Sequence, residues 1–283
     1  MAIKITADST CDLSQELLER YGVTLMPLYV QKGDGTFRDG VDITPADIFA
    51  HVASGGALCK TAAPNISDFT AMFEKFSPEY DAVIHITISA DFSSSYQNAC
   101  VAAEEFPNVY VVDSRNLSTG QGHVVCEAAK MAASGASAEE IVRAMNDLAP
   151  RVDASFLIDR LDYLYKGGRC SAVAALGANL LHLKPCIEVR NGKMGVAKKY
   201  RGDFAKCIAD YTRERLKKAD DIVPERVFIT HTPCSDATIA AAWDAVKQYG
   251  SFSEIYDTNA GCTVSCHCGP STLGVLYIHE NAI

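Results

Sequence analysis

Short apolar runs alternate with amphipathic stretches through the first half of the chain. "IKITAD" (3–8), "VTLMPLYV" (23–30), "DAVIHITIS" (81–89) and "NVYVVDS" (108–114) read as strands. Helical spacing between and after them predicts helices over 14–21, from 45 onward, and over 67–76, 93–106, 118–134 and 137–149. Thr44 followed by Pro45 fits an N-cap and a first helical residue, and "KGDGT" (32–36) reads as a glycine turn. "KTAAPN" (60–65) reads as a connecting loop. Such alternation predicts a parallel sheet covered on both faces, with ligands met by the loops at the carboxyl ends of its strands.

The pattern changes after residue 152. "DASFLID" (153–159) leads into a short helix and the glycine pair of "YKGGRC", then an Ala- and Leu-rich helix over 171–183. "KPCIEVRNGKMGVAKKY" (184–200) places Asn191 and Gly192 between two strand runs, a strong hairpin signal. A helix over 203–218, "RVFITHT", another helix, "SEIYDTNA" and "TLGVLYIHE" complete the chain. The expectation is an α/β protein: an N-terminal parallel-sheet (Rossmann-like) domain over 1–152, and a C-terminal α/β domain over 153–283 with a mixed or antiparallel sheet.

Composition narrows the function classes. At 283 residues and 48% hydrophobic the chain can bury sizeable cores, and a formal charge of −9 leaves no basic footprint for nucleic acid or an anionic membrane surface. The N-terminus lacks the charged start and apolar run of a signal peptide, and no apolar run is long enough to span a bilayer, so a cytoplasmic protein is expected. Eleven scattered cysteines, an odd number, read as reduced and mostly buried thiols. Cys262, Cys266 and Cys268 flank His267, yet the second close pair of ligands that a zinc site needs is missing, so no metal is expected.

Five hydroxyls gather in "ITISADFSSSYQNA" (86–99), where a strand hands over to a helix: Ser89, Ser93, Ser94, Ser95 and Tyr96. Three readings stand side by side. Free N–H groups and the positive end of a helix dipole suit an anion; the same residues are ordinary helix caps; or one is a nucleophile. A nucleophile calls for an elbow such as Gly-x-Ser-x-Gly and an oriented base, and the chain has no such elbow. Thr61 adds a hydroxyl in a loop before another helix, and His267 sits in a Gly- and Pro-containing loop beside Gly269. Asp8 and Asp113 close strands, as helix caps or as ligands for a metal-dependent phosphotransferase. Arg169 and Arg201 are surface charges or the rim of an anion site.

Taken together, "ADSTCDL" (7–13), "KTAAPN" (60–65), "ISADFSSSYQNA" (88–99), "VVDSRNLSTGQG" (111–122), "LDYLYKGGRCS" (161–171), "KPCIEVRNGKM" (184–194) and "HCGPSTLGVLY" (267–277) resemble the DegV family from end to end. Characterised members of that family are bacterial fatty acid binding proteins. The resemblance implies that one long-chain fatty acid is buried between the two domains, its tail in an apolar tunnel. Its carboxylate is then held at Thr61, Ser93 and His267, with Ser94, Ser95 and Gly269 alongside. The resemblance further implies that a separate fatty acid kinase phosphorylates the bound carboxylate, engaging near Arg201 with Arg169 in the shared "GGR" turn. The acyl phosphate then passes to an acyltransferase of phospholipid synthesis. On this reading the chain is a carrier, needs no cofactor and is not an enzyme; the alternative is a serine hydrolase of acyl esters with Ser93 as nucleophile. Ala62, Ser94 and Ser271 stand where the family usually has Ser, Gly and Gly.

Overall fold

In the computed structural model, which describes residues 2–171, 183–218 and 220–283, four strands of the first half form one parallel sheet. Its members are β1 (Ile3–Asp8), β2 (Thr24–Met26), β6 (Ala82–Thr87) and β7 (Val109–Asp113), in the order β2-β1-β6-β7. All six residues of β6 are buried, as a central strand covered on both faces must be. On one face Phe69, Phe73 and Phe76 of the Ile66–Phe76 helix pack on Val83 and Ala99. Against the other face lie Val124, Val125 and Ala128 of the Ser118–Ala133 helix and Ile141 and Met145 of the Ala138–Leu148 helix. Capping boxes open three helices, at Thr44 with Asp47, Asn65 with Asp68 and Ser137 with Glu140.

Two readings of the first half change. The strand expected over 23–30 is broken at Pro27, which has no N–H to offer a ladder: β2 ends before it, and Tyr29–Lys32 becomes β3 of a separate sheet. That small antiparallel sheet has the order β4-β3-β5, with β4 (Gly35–Arg38) and β5 (Lys60–Ala62) on either side of β3. "KTAAPN" therefore starts as a strand, Thr61 pairing with Val30, in a run too short to show alternation.

The second half forms a mixed seven-stranded sheet in the order β11-β10-β9-β14-β12-β13, with β8 (Val152–Asp153) also on β14. β9 (Ser155–Ile158), β10 (Leu183–Arg190), β11 (Lys193–Arg201), β12 (Arg226–His231) and β14 (Thr272–Ile278) pair antiparallel, while β13 (Glu254–Asn259) is parallel to β12. The β10–β11 hairpin turns at Asn191 and Gly192 with φ of 51° and 82°, the doubly left-handed turn that an Asn-Gly pair favours. The helix expected over 171–183 lies outside the described residues but for its end positions. A helix that the pattern did not announce, Cys262–Cys268, precedes β14.

Candidate functional site: a cavity with hydroxyl and imidazole walls

Loops leaving the carboxyl ends of β2, β6 and β7 line one side of a cavity of about 370 Å³. Arg169, Met194, Thr263, Val264, His267 and Cys268, from the second half of the chain, take part in the rest. Leu28, Ile88, Phe92, Leu117, Met194 and Val264 give apolar wall. Thr61, Ser93, Ser94, Arg169 and His267 line the same cavity, so five positions singled out from the sequence converge. Ser94 and Arg169 are exposed whereas Leu28, Ile88 and Leu117 are buried, which sets a polar mouth above an apolar floor.

His267 stands in the last turn of the Cys262–Cys268 helix, not in a loop. Its Nε2 lies 2.8 Å from Thr61 Oγ1, a contact between residues 206 apart. Nδ1 is buried and has no partner among the described residues. A buried N–H without an acceptor costs more than an unused lone pair, so the ring proton belongs on Nε2, donating to Thr61. Thr61 then keeps its own hydroxyl hydrogen for an incoming anion. Burial, and after it the positive charge of Arg169, hold the imidazole down at about 4, so it is neutral at neutral pH. The "GGR" turn brings the backbone flat against this ring: a Cβ at Gly167 would lie 2.4 Å from Nδ1.

The helix bearing His267 is clamped at its other end. Asp39, buried, accepts hydrogen bonds from the backbone N–H of Cys262 and Thr263 at 2.9 and 3.0 Å and from Ser9 Oγ at 3.2 Å. Asp12 accepts from Gly261 N–H at 2.9 Å and from Ser118 Oγ at 2.6 Å. Burial pushes the Asp12 carboxyl up to about 8, against those two bonds. These two acids satisfy helix N-terminal donors that no local side chain reaches, since the N-cap residue is Gly261. Asp39 escaped the sequence reading entirely; its partners on the helix lie more than 220 positions away.

The serine wall has its own anchor. Asp8, fully buried, accepts from Ile88 N–H at 3.0 Å, from Ser95 Oγ at 2.9 Å and contacts His85 Nε2 at 3.2 Å. Ser95 is thus engaged beneath the loop and is not part of the cavity lining. Ser93 Oγ accepts from Ser95 N–H at 3.2 Å and retains a hydroxyl hydrogen to donate. Ser94, where the family pattern has glycine, sits at φ −75°, a conformation open to any residue. Asp113 accepts from the N–H groups of Ala90 and Arg115 at 3.3 and 2.8 Å. Both strand-end acids therefore tie down loops.

Gly269 and Arg201 stand apart from the lining. Gly269 closes the helix at φ 71°, and a Cβ there would meet the Tyr163 ring at 2.6 Å. Arg201 is exposed at the end of β11. Cys262, Cys266 and Cys268 are buried free thiols, Cys268 pushed up by burial to about 12. Among the described residues no group of three or more His, Cys, Asp or Glu is placed to hold a metal, and no helix is long and apolar enough to cross a membrane.

Comparison with known proteins agrees with this architecture. A DegV domain-containing protein of Caldanaerobacter subterraneus is 30% identical over 279 residues, covering 97% of this chain and 98% of its own length. A DegV family protein from Thermus thermophilus, described for its fatty acid binding, superposes with a TM-score of 0.90 at 30% identity, covering 99% of this chain and 100% of that one. A stearic acid-binding protein from Eubacterium ventriosum superposes with a TM-score of 0.86 at 26% identity, covering 98% of each chain. The family model "Uncharacterised protein, DegV family" matches residues 2–280, which is nearly the whole length, and on that match the chain belongs to the DegV family.

Proposed function

We propose that this chain is a carrier that buries one long-chain fatty acid between its two halves, 1–152 and 153–283. The observation that carries the reading is the cavity itself, with apolar walls and one set of hydroxyl and imidazole groups. An ionised carboxylate taken out of water needs charge-assisted hydrogen bonds; the hydroxyls of Thr61 and Ser93 are the donors proposed to supply them, with His267 holding Thr61 so that its hydroxyl hydrogen is free for the carboxylate. Tail burial dominates the energetics: at about 0.8 kcal/mol per methylene, a sixteen-carbon chain gains roughly 10 kcal/mol before ordering costs. The fatty acid binding described for the relatives from Thermus thermophilus and Eubacterium ventriosum supports the same reading.

In this proposal the carboxylate, held by neutral donors near the mouth, is presented to a separate fatty acid kinase. The resulting acyl phosphate is used by an acyltransferase of phospholipid synthesis. Arg201, exposed and away from the cavity lining, is assigned to kinase engagement, and Arg169 to the mouth.

Gentle purification, solvent extraction and mass spectrometry should recover about one long-chain acid per chain. A ligand-free preparation that also fails to bind added palmitate overturns the carrier reading. Arg201→Ala should leave palmitate affinity unchanged while slowing phosphorylation by the kinase; equal loss of both would remove the kinase assignment. Covalent labelling of Ser93 by a fluorophosphonate would favour the hydrolase instead.

A further inference from the structure

The connection between the two halves is held by a histidine far from the cavity. The chain leaves the Ala138–Leu148 helix through a short turn, Ala149–Arg151, and then runs as β8 alongside β14. His279, one residue beyond the end of β14, meets this connector three times. Its backbone N–H donates to Arg151 O at 2.8 Å, its carbonyl accepts from Arg151 Nε at 2.9 Å, and its ring Nε2 lies 3.4 Å from Asp153 Oδ2. The other ring nitrogen, Nδ1, lies 2.6 Å from Asp221 Oδ1, on the segment that leads into β12.

A neutral imidazole has one N–H and one bare nitrogen, so it can donate to only one of two carboxylates. Both contacts are made together only by the imidazolium. The charged groups around the ring come from several elements. Asp153 and Asp221 favour the second proton. Arg151 opposes it, as do Arg190 of β10 and Arg215 of the Phe204–Lys218 helix, which reach Asp153 at 3.7 and 3.0 Å and share Glu188. Burial works against the charged ring, and the two carboxylates outweigh it, holding His279 above the ordinary histidine value. The acids themselves stay ionised: Asp221 is held down by its bond to His279, and Asp153, against its burial, by His279 and the two arginines.

We infer that protonated His279 locks the connector between the halves, and that the lock opens as pH rises, speeding exchange of the fatty acid held between them. This rests on the carrier reading and adds a control on loading to it. Arg151, Asp153, Asp221 and His279 do not line the cavity, so the lock is the same in the empty and the loaded chain. Entry and release therefore quicken together and affinity stays as it was. The ring's contribution is complete below 6.5, the value of a free ring, and is lost as pH rises through the higher folded value.

The test loads the delipidated full chain with cis-parinaric acid, a fluorescent fatty acid, and chases it with excess hexadecanoate from pH 6.5 to 9. NMR follows the ring nitrogens of His279 over the same range. Both nitrogens should be protonated at pH 6.5, and release should quicken several-fold along the titration of the ring. His279→Gln should release at the fast rate at every pH. Asp221→Asn, which removes the charge of the nearer carboxylate, should move both the titration and the quickening to lower pH, and keeps the test where His279→Gln does not fold. A neutral ring at pH 6.5 overturns the inference. Release that does not follow the ring, or that changes with pH in His279→Gln as in wild type, also overturns it and leaves the carrier reading standing. Binding of neither acid by wild type overturns both.

Discussion

The two polar walls of the cavity are built in opposite ways. The serine wall is local: Asp8 at the end of β1 takes Ile88 N–H and Ser95 Oγ from the loop after β6, and β1 and β6 are neighbours in one sheet. The imidazole wall is held from a distance: Asp39 and Asp12, near the start of the chain, grip the first turn of a helix more than 220 residues later. One wall needs only its own sheet; the other needs both halves of the chain in register. The difference implies that damage to the serine wall remains local, while damage to the clamp displaces His267 as a whole.

The sharpest way to break this contrast is Asp39→Ala. It leaves two buried backbone N–H groups and the Ser9 hydroxyl without their acceptor, and should lower stability by about 3 kcal/mol or more. Urea unfolding measures this, and a loss under about 1 kcal/mol would mean that the clamp does not hold the helix. The folded fraction should also bind palmitate more weakly, because the helix carries His267.

Next in size are the head-group donors. His267→Ala and Ser93→Ala should each weaken palmitate binding by about 1–3 kcal/mol, the range for leaving a buried hydrogen-bonding partner unsatisfied. Calorimetry on the delipidated chain reads this directly, and unchanged affinity in both variants would place the carboxylate elsewhere. The walls should separate here: losing the ring also strips Thr61 of its partner, so His267→Ala should exceed Ser93→Ala.

The walls should also differ in their response to pH. Burial and Arg169 hold His267 at about 4, against 6.5 for a free ring, so between those values the unfolded chain takes up a proton that the folded ligand-free chain does not. The contribution of this ring to stability is therefore complete above 6.5 and is lost as pH falls toward 4. A bound carboxylate reverses the sign locally by stabilising the imidazolium. Palmitate affinity, measured on the same preparations from pH 7.5 to 5.5, should rise as pH falls, by at most about tenfold per unit. The slope should vanish in His267→Gln and persist in Ser93→Ala; a slope that survives His267→Gln would assign it to another group.

How far each wall could be read in the sequence follows from the same difference. The serine wall was legible because a strand run ending in hydroxyls before a helix is a local pattern, and the parallel sheet places such ends at one edge. Ser95 shows the limit: three serines in a row share one signal, and only the geometry separates Ser93 and Ser94 in the lining from Ser95 on Asp8. The helix under His267 was not legible, since its seven residues follow a glycine N-cap and its capping acids are remote. β5 was missed for a related reason: three residues carry no period, and its pairing with β3 is a tertiary fact.

The smallest effect tests the loop that follows the imidazole wall. Ser271 stands at φ 58°, where the DegV pattern has glycine, and its backbone is pinned by bonds from Ser271 N–H to Pro233 O and from Asp159 N–H to Ser271 O, both 3.0 Å. A side chain in the left-handed region costs about 1 kcal/mol or more, partly offset by the extra freedom that glycine gives the unfolded chain. Ser271→Gly should therefore stabilise by about 0.5–1 kcal/mol in urea unfolding. Ser118 provides the control: it has the same strain, at φ 52°, but its hydroxyl donates to Asp12 at 2.6 Å in the clamp. Relief of strain there is outweighed by the lost bond, so Ser118→Gly should destabilise. If both variants stabilise, the Ser118–Asp12 bond contributes nothing to the clamp, and the contrast between a locally anchored wall and a remotely held one would rest on Asp39 alone.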